Sequence, residues 1–239
     1  MASGTIVGVN GNIITVKIEG AVSQNEVGYA KLDDVRLMSE VVRIRGNRAD
    51  LQVFEDTAGL SIGDGLEFSG NLLAAELGPG LLTQIYDGLQ NPLPQLAEQC
   101  GFFLQRGTYL DPIPRDVRWA FSPLVKAGDI MTSGEALGST PEGIVEHLIM
   151  VPFSFHGKYT VEHVAGAGDY TVADTIATLK DEGGTTHDVT MLQRWPVKLP
   201  IGSFVERLRP TEPLVTKVRI VDTFFPVARG GTYCIPGPF

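Results

Sequence analysis

The stretch Thr5–Glu19 reads TIVGVNGNIITVKIE, and it is the reading of this stretch that decides the fold. Ile6, Gly8 and Asn10 fall on one side of an extended chain, with Val7 and Val9 on the other. After a break, Ile14, Val16 and Ile18 alternate with Thr15, Lys17 and Glu19. A period of two marks a half-buried strand, because successive side chains of a pleated chain point to opposite faces. Between the runs stands Gly11-Asn12, a dipeptide suited to tight hairpin turns. The stretch predicts a β-hairpin with one buried face.

The same texture continues outward. A further alternating run, Glu40–Arg45, ends at the turn Gly46-Asn47-Arg48, and Ala49–Glu55 follows as another strand. Gly59–Gly65 reads as a loop and Leu66–Ser69 as a last short strand. About six short strands at near-regular spacing predict a small antiparallel barrel, whose closure leaves no edge exposed.

Beyond the barrel, Leu81, Leu82, Ile85, Tyr86 and Leu89 recur at helical spacing between Gly78-Pro79-Gly80 and Pro92. They predict a helix over 81–89, with a second over Pro94–Gly101. From Gly107 to Gly184 the chain is rich in Gly and Pro, with β-prone runs Ile144–Met150, Lys158–Val164 and Tyr170–Thr178. This predicts a second, strand-rich module. Near the C-terminus, Arg219–Phe239 reads RIVDTFFPVARGGTYCIPGPF. The apolar run Val218–Phe225 predicts a strand, and a second short run, Thr232–Ile235, leads into Pro236-Gly237-Pro238-Phe239. A strand entering a Gly turn is how a G-x-x-x-x-G-K-[ST] phosphate loop begins, with backbone N–H groups around the phosphates. Gly237 stands at the first Gly of such a loop. By pattern alone a plain turn is the commoner reading.

Composition narrows the function classes. The net charge of −9 argues against a nucleic-acid partner, which wants a basic surface, and supplies no polybasic membrane patch. No run of 18 or more apolar residues occurs, so no bilayer-inserted helix is expected. The first residues, MASGTIVGVNG, show no secretory signal. Cys100 and Cys234 form no C-x-x-C pattern, and His147, His156, His163 and His187 share no metal-ligand spacing, so no metal site is expected. Gly166-Ala167-Gly168 lacks the third Gly and the helix of a dinucleotide loop. A hydrolase built on His147 or His163 with Glu146 or Glu162 is a third-rank option, since no nucleophile motif accompanies them.

Several strings resemble one family, the catalytic A subunit of V-type (A/V-type) rotary ATPases. They are Val41–Gly46 (VVRIRG), Leu51–Leu60 (LQVFEDTAGL), Leu77–Leu82 (LGPGLL) with Ile85–Leu93 (IYDGLQNPL), Met191–Lys198 (MLQRWPVK), and Arg219–Thr232 with Ile235–Phe239. Gly128-Asp129, Gly134, Gly138, Val145–His147, Ile149–Pro152 and Gly168–Val172 resemble the inserted "bulge" domain that A subunits carry and B subunits lack. Two places depart from the pattern: Leu199–Ser203, where a basic, Pro-rich continuation is usual, and Thr216–Arg219, where T-G-Q-R is usual.

The resemblance implies a mainly β fold with some α. Residues 1–72 form the N-terminal barrel, 73–108 the linker and helices of the trunk, and 109–186 the β-rich bulge lobe. Residues 187–239 return to the trunk and open an α/β nucleotide-binding domain truncated at the start of its P-loop. It further implies a full-length subunit that couples ATP hydrolysis or synthesis to ion transport, using ATP and Mg²⁺. Such a subunit sits with B subunits in an alternating A3B3 ring, with stalk subunits, peripherally on the cytoplasmic side of a membrane. On this reading the chain holds only Gly237, Pro238 and Phe239 of the nucleotide site, no catalytic residue and no cofactor. Its apolar tail is expected to self-associate. The alternative is a stand-alone protein-interaction module without catalytic activity.

Overall fold

The structure, a computed structural model, describes residues 2–202 and 208–237. The chain divides into two units, residues 1–202 and 203–239, which are taken separately.

The first unit opens with six strands: β1 (Ser3–Asn10), β2 (Ile13–Glu19), β3 (Glu26–Leu32), β4 (Val35–Arg45), β5 (Arg48–Val53) and β6 (Gly65–Leu72). They close into an antiparallel barrel in the order β1-β2-β5-β4-β3-β6. The alternation that predicted the first hairpin is the alternation of burial: Ile6, Ile14 and Val16 are wholly inside while Lys17 and Glu19 face out. These residues meet Leu37, Val41, Leu51, Leu66 and Phe68 in one core. Each fully buried side chain of this kind contributes about 1.5–3 kcal/mol against the entropy of ordering the strands, so the barrel has a core of its own. The strand β3 was not among those named from sequence. Gly28 interrupts its apolar pattern, and its partner β4 begins five residues before the alternating run at Glu40.

Next come β7 (Ala74–Leu77) and α1 (Leu93–Cys100). The helix begins after an extended Pro92, buries Leu96 and ends at Gly101, whose N–H reaches the Ala97 carbonyl. It falls where the second helix was expected. The first does not form: residues 80–92 are turns closed by a bridge between Tyr86 and Pro92, and Thr83 and Gln90 have positive φ. The reason is local. The Asp87 carboxylate accepts the N–H groups of Leu89 and Asn91 and the Asn91 side-chain amide, at 2.8–2.9 Å, and so bends the chain that helical spacing alone would have continued. Leu82 and Ile85, two of the five residues of the supposed apolar stripe, face solvent.

The lobe follows: β8 (Arg118–Pro123), β9 (Ile130–Met131), β10 (Ala136–Glu142), β11 (Val145–Met150), β12 (Tyr159–Val164), β13 (Gly168–Thr171), β14 (Thr175–Asp181) and β15 (Thr186–Thr190). They form two four-stranded sheets, ordered β11-β10-β8-β13 and β15-β14-β12-β9. One apolar cluster centres on Leu137, Val151, Val161 and Leu179, and another on Ile113, Phe121, Val172 and Ile176. A final strand, β16 (Gln193–Pro196), pairs antiparallel with β7, setting Arg194 opposite Glu76. The chain thus leaves for the lobe along β7 and returns beside it along β16.

The second unit holds β17 (Pro213–Leu214), α2 (Arg219–Phe224) and β18 (Val227–Ala228), with β17 and β18 paired. The strand expected over Val218–Phe225 is therefore a short helix. Asp222 decides this: its carboxylate accepts the N–H groups of Thr216 and Lys217 and the Thr216 hydroxyl, turning the chain back on itself. These bonds hold the Asp222 carboxyl below its usual range, the Thr216 hydroxyl first among them. Thr232–Ile235 also forms no strand.

Candidate functional site

The residues singled out as the start of a phosphate loop do not form an assembled site among the described residues. Gly237 lies in exposed coil, with no atom within 4 Å of where a Cβ would stand, and Pro238 and Phe239 lie outside the described residues. The histidine–glutamate pairings come apart as well. His147 on β11 turns to Glu142, while Glu146 accepts the Ser139 hydroxyl at 2.6 Å and Glu162 holds Lys180. His187 sits at 3.1 Å from Asp181, whose carboxyl it holds below the usual range, and packs edge-on against Phe155 and Tyr159. Among the described residues no group of three or more His, Cys, Asp or Glu is placed to hold a metal ion.

What the structure does bring together is a polar joint between the lobe and the segment that follows β7. Its centre is Gly78-Pro79-Gly80-Leu81-Leu82. A Cβ on Gly78 would lie 2.9 Å from the Met191 carbonyl oxygen and 3.0 Å from Leu192, so only a bare backbone fits there. Gly80 adopts φ +106° against Ile113 and Trp119. Leu81 packs onto the lobe's second apolar cluster. With the loop flush against the lobe, the N–H groups of Gly80 and Leu82 converge on Glu142 Oε1, at 2.7 and 3.2 Å. Glu142 ends β10 and is 6% exposed; its other oxygen lies 2.7 Å from His147 Nδ1. Beside it, the Tyr86 hydroxyl donates to the Pro112 carbonyl, and burial, then the Glu142 charge, pushes its phenol above the usual range.

A second carboxylate fastens the two crossings to the lobe. Glu76 on β7 accepts from Arg194 on β16, at 2.6 and 3.0 Å, and from Arg115 ahead of β8, at 2.5 Å. The Gln90 side chain donates to the Glu76 carbonyl and accepts its N–H, satisfying the free edge of β7. A third cluster straps residues 106–109 to the barrel. Met38 N–H donates to the Tyr109 hydroxyl (2.7 Å), which donates to Glu55 (2.5 Å), and the other Glu55 oxygen accepts the Gly107 N–H. Burial and the bond to Glu55 raise the Tyr109 phenol far above its ordinary range.

A cleft of about 660 Å³ opens at the joint, lined by Tyr86, Trp119, Asp111, Asp116 and Glu142 among others and by no Lys, Arg or His. Asp111 reaches Arg115 at 3.4 Å and Glu142 reaches His147, but neither partner lines the cleft, whose own charged groups are carboxylates and disfavour phosphate. Sequence reasoning did not single out Glu76, Glu142, Arg115 or Arg194. Arg194 lies within the string MLQRWPVK and Glu76 immediately before LGPGLL, which was the available signal; Glu142 had none. In the departing segment after Lys198, the Trp195 indole N–H donates to the Leu199 carbonyl, and Ser203 lies outside the described residues.

Two family models match the chain in sequence order. Residues 6–70 match the beta-barrel domain of the ATP synthase alpha/beta family, and residues 110–198 match the ATP synthase alpha/beta subunit barrel-sandwich domain. The first covers the barrel and the second the lobe with its return strand. Among curated relatives, the V-type ATP synthase alpha chain of Treponema denticola is 56% identical over 236 residues, covering 99% of this chain and 40% of the relative. That of Borreliella burgdorferi is 55% identical over 236 residues, 99% of this chain and 41% of the relative. That of Borrelia hermsii is 51% identical over 238 residues, covering the whole of this chain and 41% of the relative. The chain thus spans about two fifths of the length of these relatives. With barrel, sandwich lobe and near-complete alignment in agreement, the chain belongs to the ATP synthase alpha/beta family and corresponds to the N-terminal region of a V-type ATP synthase alpha chain.

Proposed function

We propose that these residues are the scaffold of a rotary ATPase A subunit whose full-length form couples ATP hydrolysis or synthesis to ion transport. The observation that carries the reading is alignment at 56% identity across 99% of the chain to a V-type ATP synthase alpha chain. In the proposed subunit, Gly237, Pro238 and Phe239 begin the P-loop. The Lys and Ser/Thr that complete G-x-x-x-x-G-K-[ST], which bind phosphate and Mg²⁺, belong to the longer polypeptide. The barrel and lobe contribute position rather than chemistry: a closed barrel and a two-sheet lobe, each with its own core, fastened to the segments between them by Tyr109 on the barrel side and by Glu76 and Glu142 on the lobe side. B subunits in an alternating ring and stalk subunits are the proposed partners, and the subunit is proposed to sit peripherally on the cytoplasmic side of a membrane. No helix among the described residues is long and apolar enough to cross one.

Two measurements test this. Calorimetric titration of the 239-residue chain with Mg-ATP is expected to show no micromolar site; such a site would refute the scaffold reading. The coding sequence beyond residue 239 is expected to continue through Gly-x-Gly-Lys-Thr, and the longer product with its B subunit to hydrolyse ATP. A stop codon directly after Phe239 would overturn the assignment to a longer ATPase.

A further inference from the structure

We propose that the Gly78–Leu82 loop is a backbone anion receptor whose resident ligand is the lobe's own Glu142 carboxylate, so that the joint is a latch held by one side chain and open to an external carboxylate when that side chain is removed. Two N–H groups, Gly80 at 2.7 Å and Leu82 at 3.2 Å, converge on one carboxylate oxygen. Gly80 at φ +106° turns the loop so that both point the same way, the geometry by which successive backbone amides make an anion-binding concavity. No Lys or Arg lines the cleft at this point, leaving the loop amides and His147 to meet the negative charge. Glu142 is 6% exposed, and a carboxylate so deeply placed is tolerated only when its oxygens are satisfied.

The grip is selective. The barrel and the β7–β16 pair are held by other contacts, among them Glu76 with its two arginines. Removing the Glu142 carboxylate therefore frees the Gly80 and Leu82 amides while those elements, and the packing of Leu81 on the lobe, stay. An ordinary packing residue would lack a second property: the vacated amides would still bind an anion of the right size.

Hydrogen exchange on the 239-residue chain, resolved to the segment 79–86, tests this in Glu142→Ala and in the shape-conserving Glu142→Gln. Hydrogen bonds to a charged acceptor are strong enough that losing them in Glu142→Ala, or losing the acceptor's charge in Glu142→Gln, is expected to speed exchange of the Gly80 and Leu82 amides about tenfold. Exchange in the barrel strands is expected to remain unchanged. Sodium formate is expected to restore protection in Glu142→Ala, and sodium chloride at equal ionic strength to restore less. Unchanged exchange at 79–86 in Glu142→Gln would overturn the proposal. So would a uniform loss of protection across barrel and lobe in that variant, or equal effects of formate and chloride in a folded Glu142→Ala. Should Glu142→Ala not fold, the Gln variant decides: faster exchange confined to 79–86 supports the latch, and any other pattern defeats it.

Discussion

Gly107 is the position where a single methyl group should do the most damage. It has φ +73°, and a Cβ there would stand 2.3 Å from Val35 Cγ1, with the Arg36 carbonyl oxygen at 3.3 Å and the Arg36 nitrogen at 3.5 Å. Two costs combine in Gly107→Ala. Holding an L-residue in the left-handed region costs about 1–2 kcal/mol. Displacing a β-branched Val35, stiff about χ1 and set on β4, adds about 1–3 kcal/mol of overpacking. Reduced freedom of the unfolded chain returns about 0.4–1 kcal/mol. The net expectation is a loss of about 1–5 kcal/mol. Urea denaturation followed by circular dichroism measures it, with two comparison variants. Gly11→Ala, at φ +59° with nothing within 4 Å, carries the backbone cost alone and should lose about 1 kcal/mol. The double variant Gly107→Ala/Val35→Ala should recover the steric part, giving a favourable coupling of about 1 kcal/mol or more. The reasoning is refuted if Gly107→Ala is no more harmful than Gly11→Ala, or if truncating Val35 brings no relief.

Other expectations follow from the same clusters. Glu76→Gln removes the charge shared by Arg115 and Arg194 and leaves one acceptor oxygen for two guanidinium groups; because Arg194 is largely in solvent, the loss should be about 2–3 kcal/mol, below that of a fully buried pair, and a denaturation midpoint equal to wild type would contradict it. Tyr109→Phe removes the hydroxyl that links Met38 to Glu55 and should cost about 1–3 kcal/mol at neutral pH. Since the folded-state phenol is raised, its contribution is fully present below the ordinary tyrosine value of about 10 and is lost as pH climbs through that value toward the raised one. The stability gap between wild type and Tyr109→Phe should therefore shrink in alkaline denaturation series; a gap that widens there would reverse the sign. Lys217 stands at φ +65° where the family pattern has Gly, and Lys217→Gly should leave the Thr216–Phe224 segment more stable by up to about 1 kcal/mol, read as slower amide exchange. Faster exchange would show that the Lys side chain itself anchors the segment.

The barrel was legible because its signal is local. Period-two alternation in Thr5–Glu19 and the Gly turns at 11 and 46 specify strands and hairpins within a few residues of each other. The family strings were legible for a different reason, being long enough to identify without any geometry. What the sequence could not settle was every choice between a local pattern and a competing bond. Leu81–Leu89 has the spacing of a helix, yet Asp87 captures the backbone first, and Val218–Phe225 has the composition of a strand, yet Asp222 folds the chain back. The joint was beyond reach for a stronger reason. Glu142 meets Gly80 from 62 residues away, and Arg194 meets Glu76 from 118. Such partners are chosen by how two sheets pack, and no periodicity in either segment records it. Sequence alone therefore determined which elements close on themselves and to which family they belong. Tertiary structure decided which buried charges meet, because a carboxylate can stay inside only where packing delivers its donors.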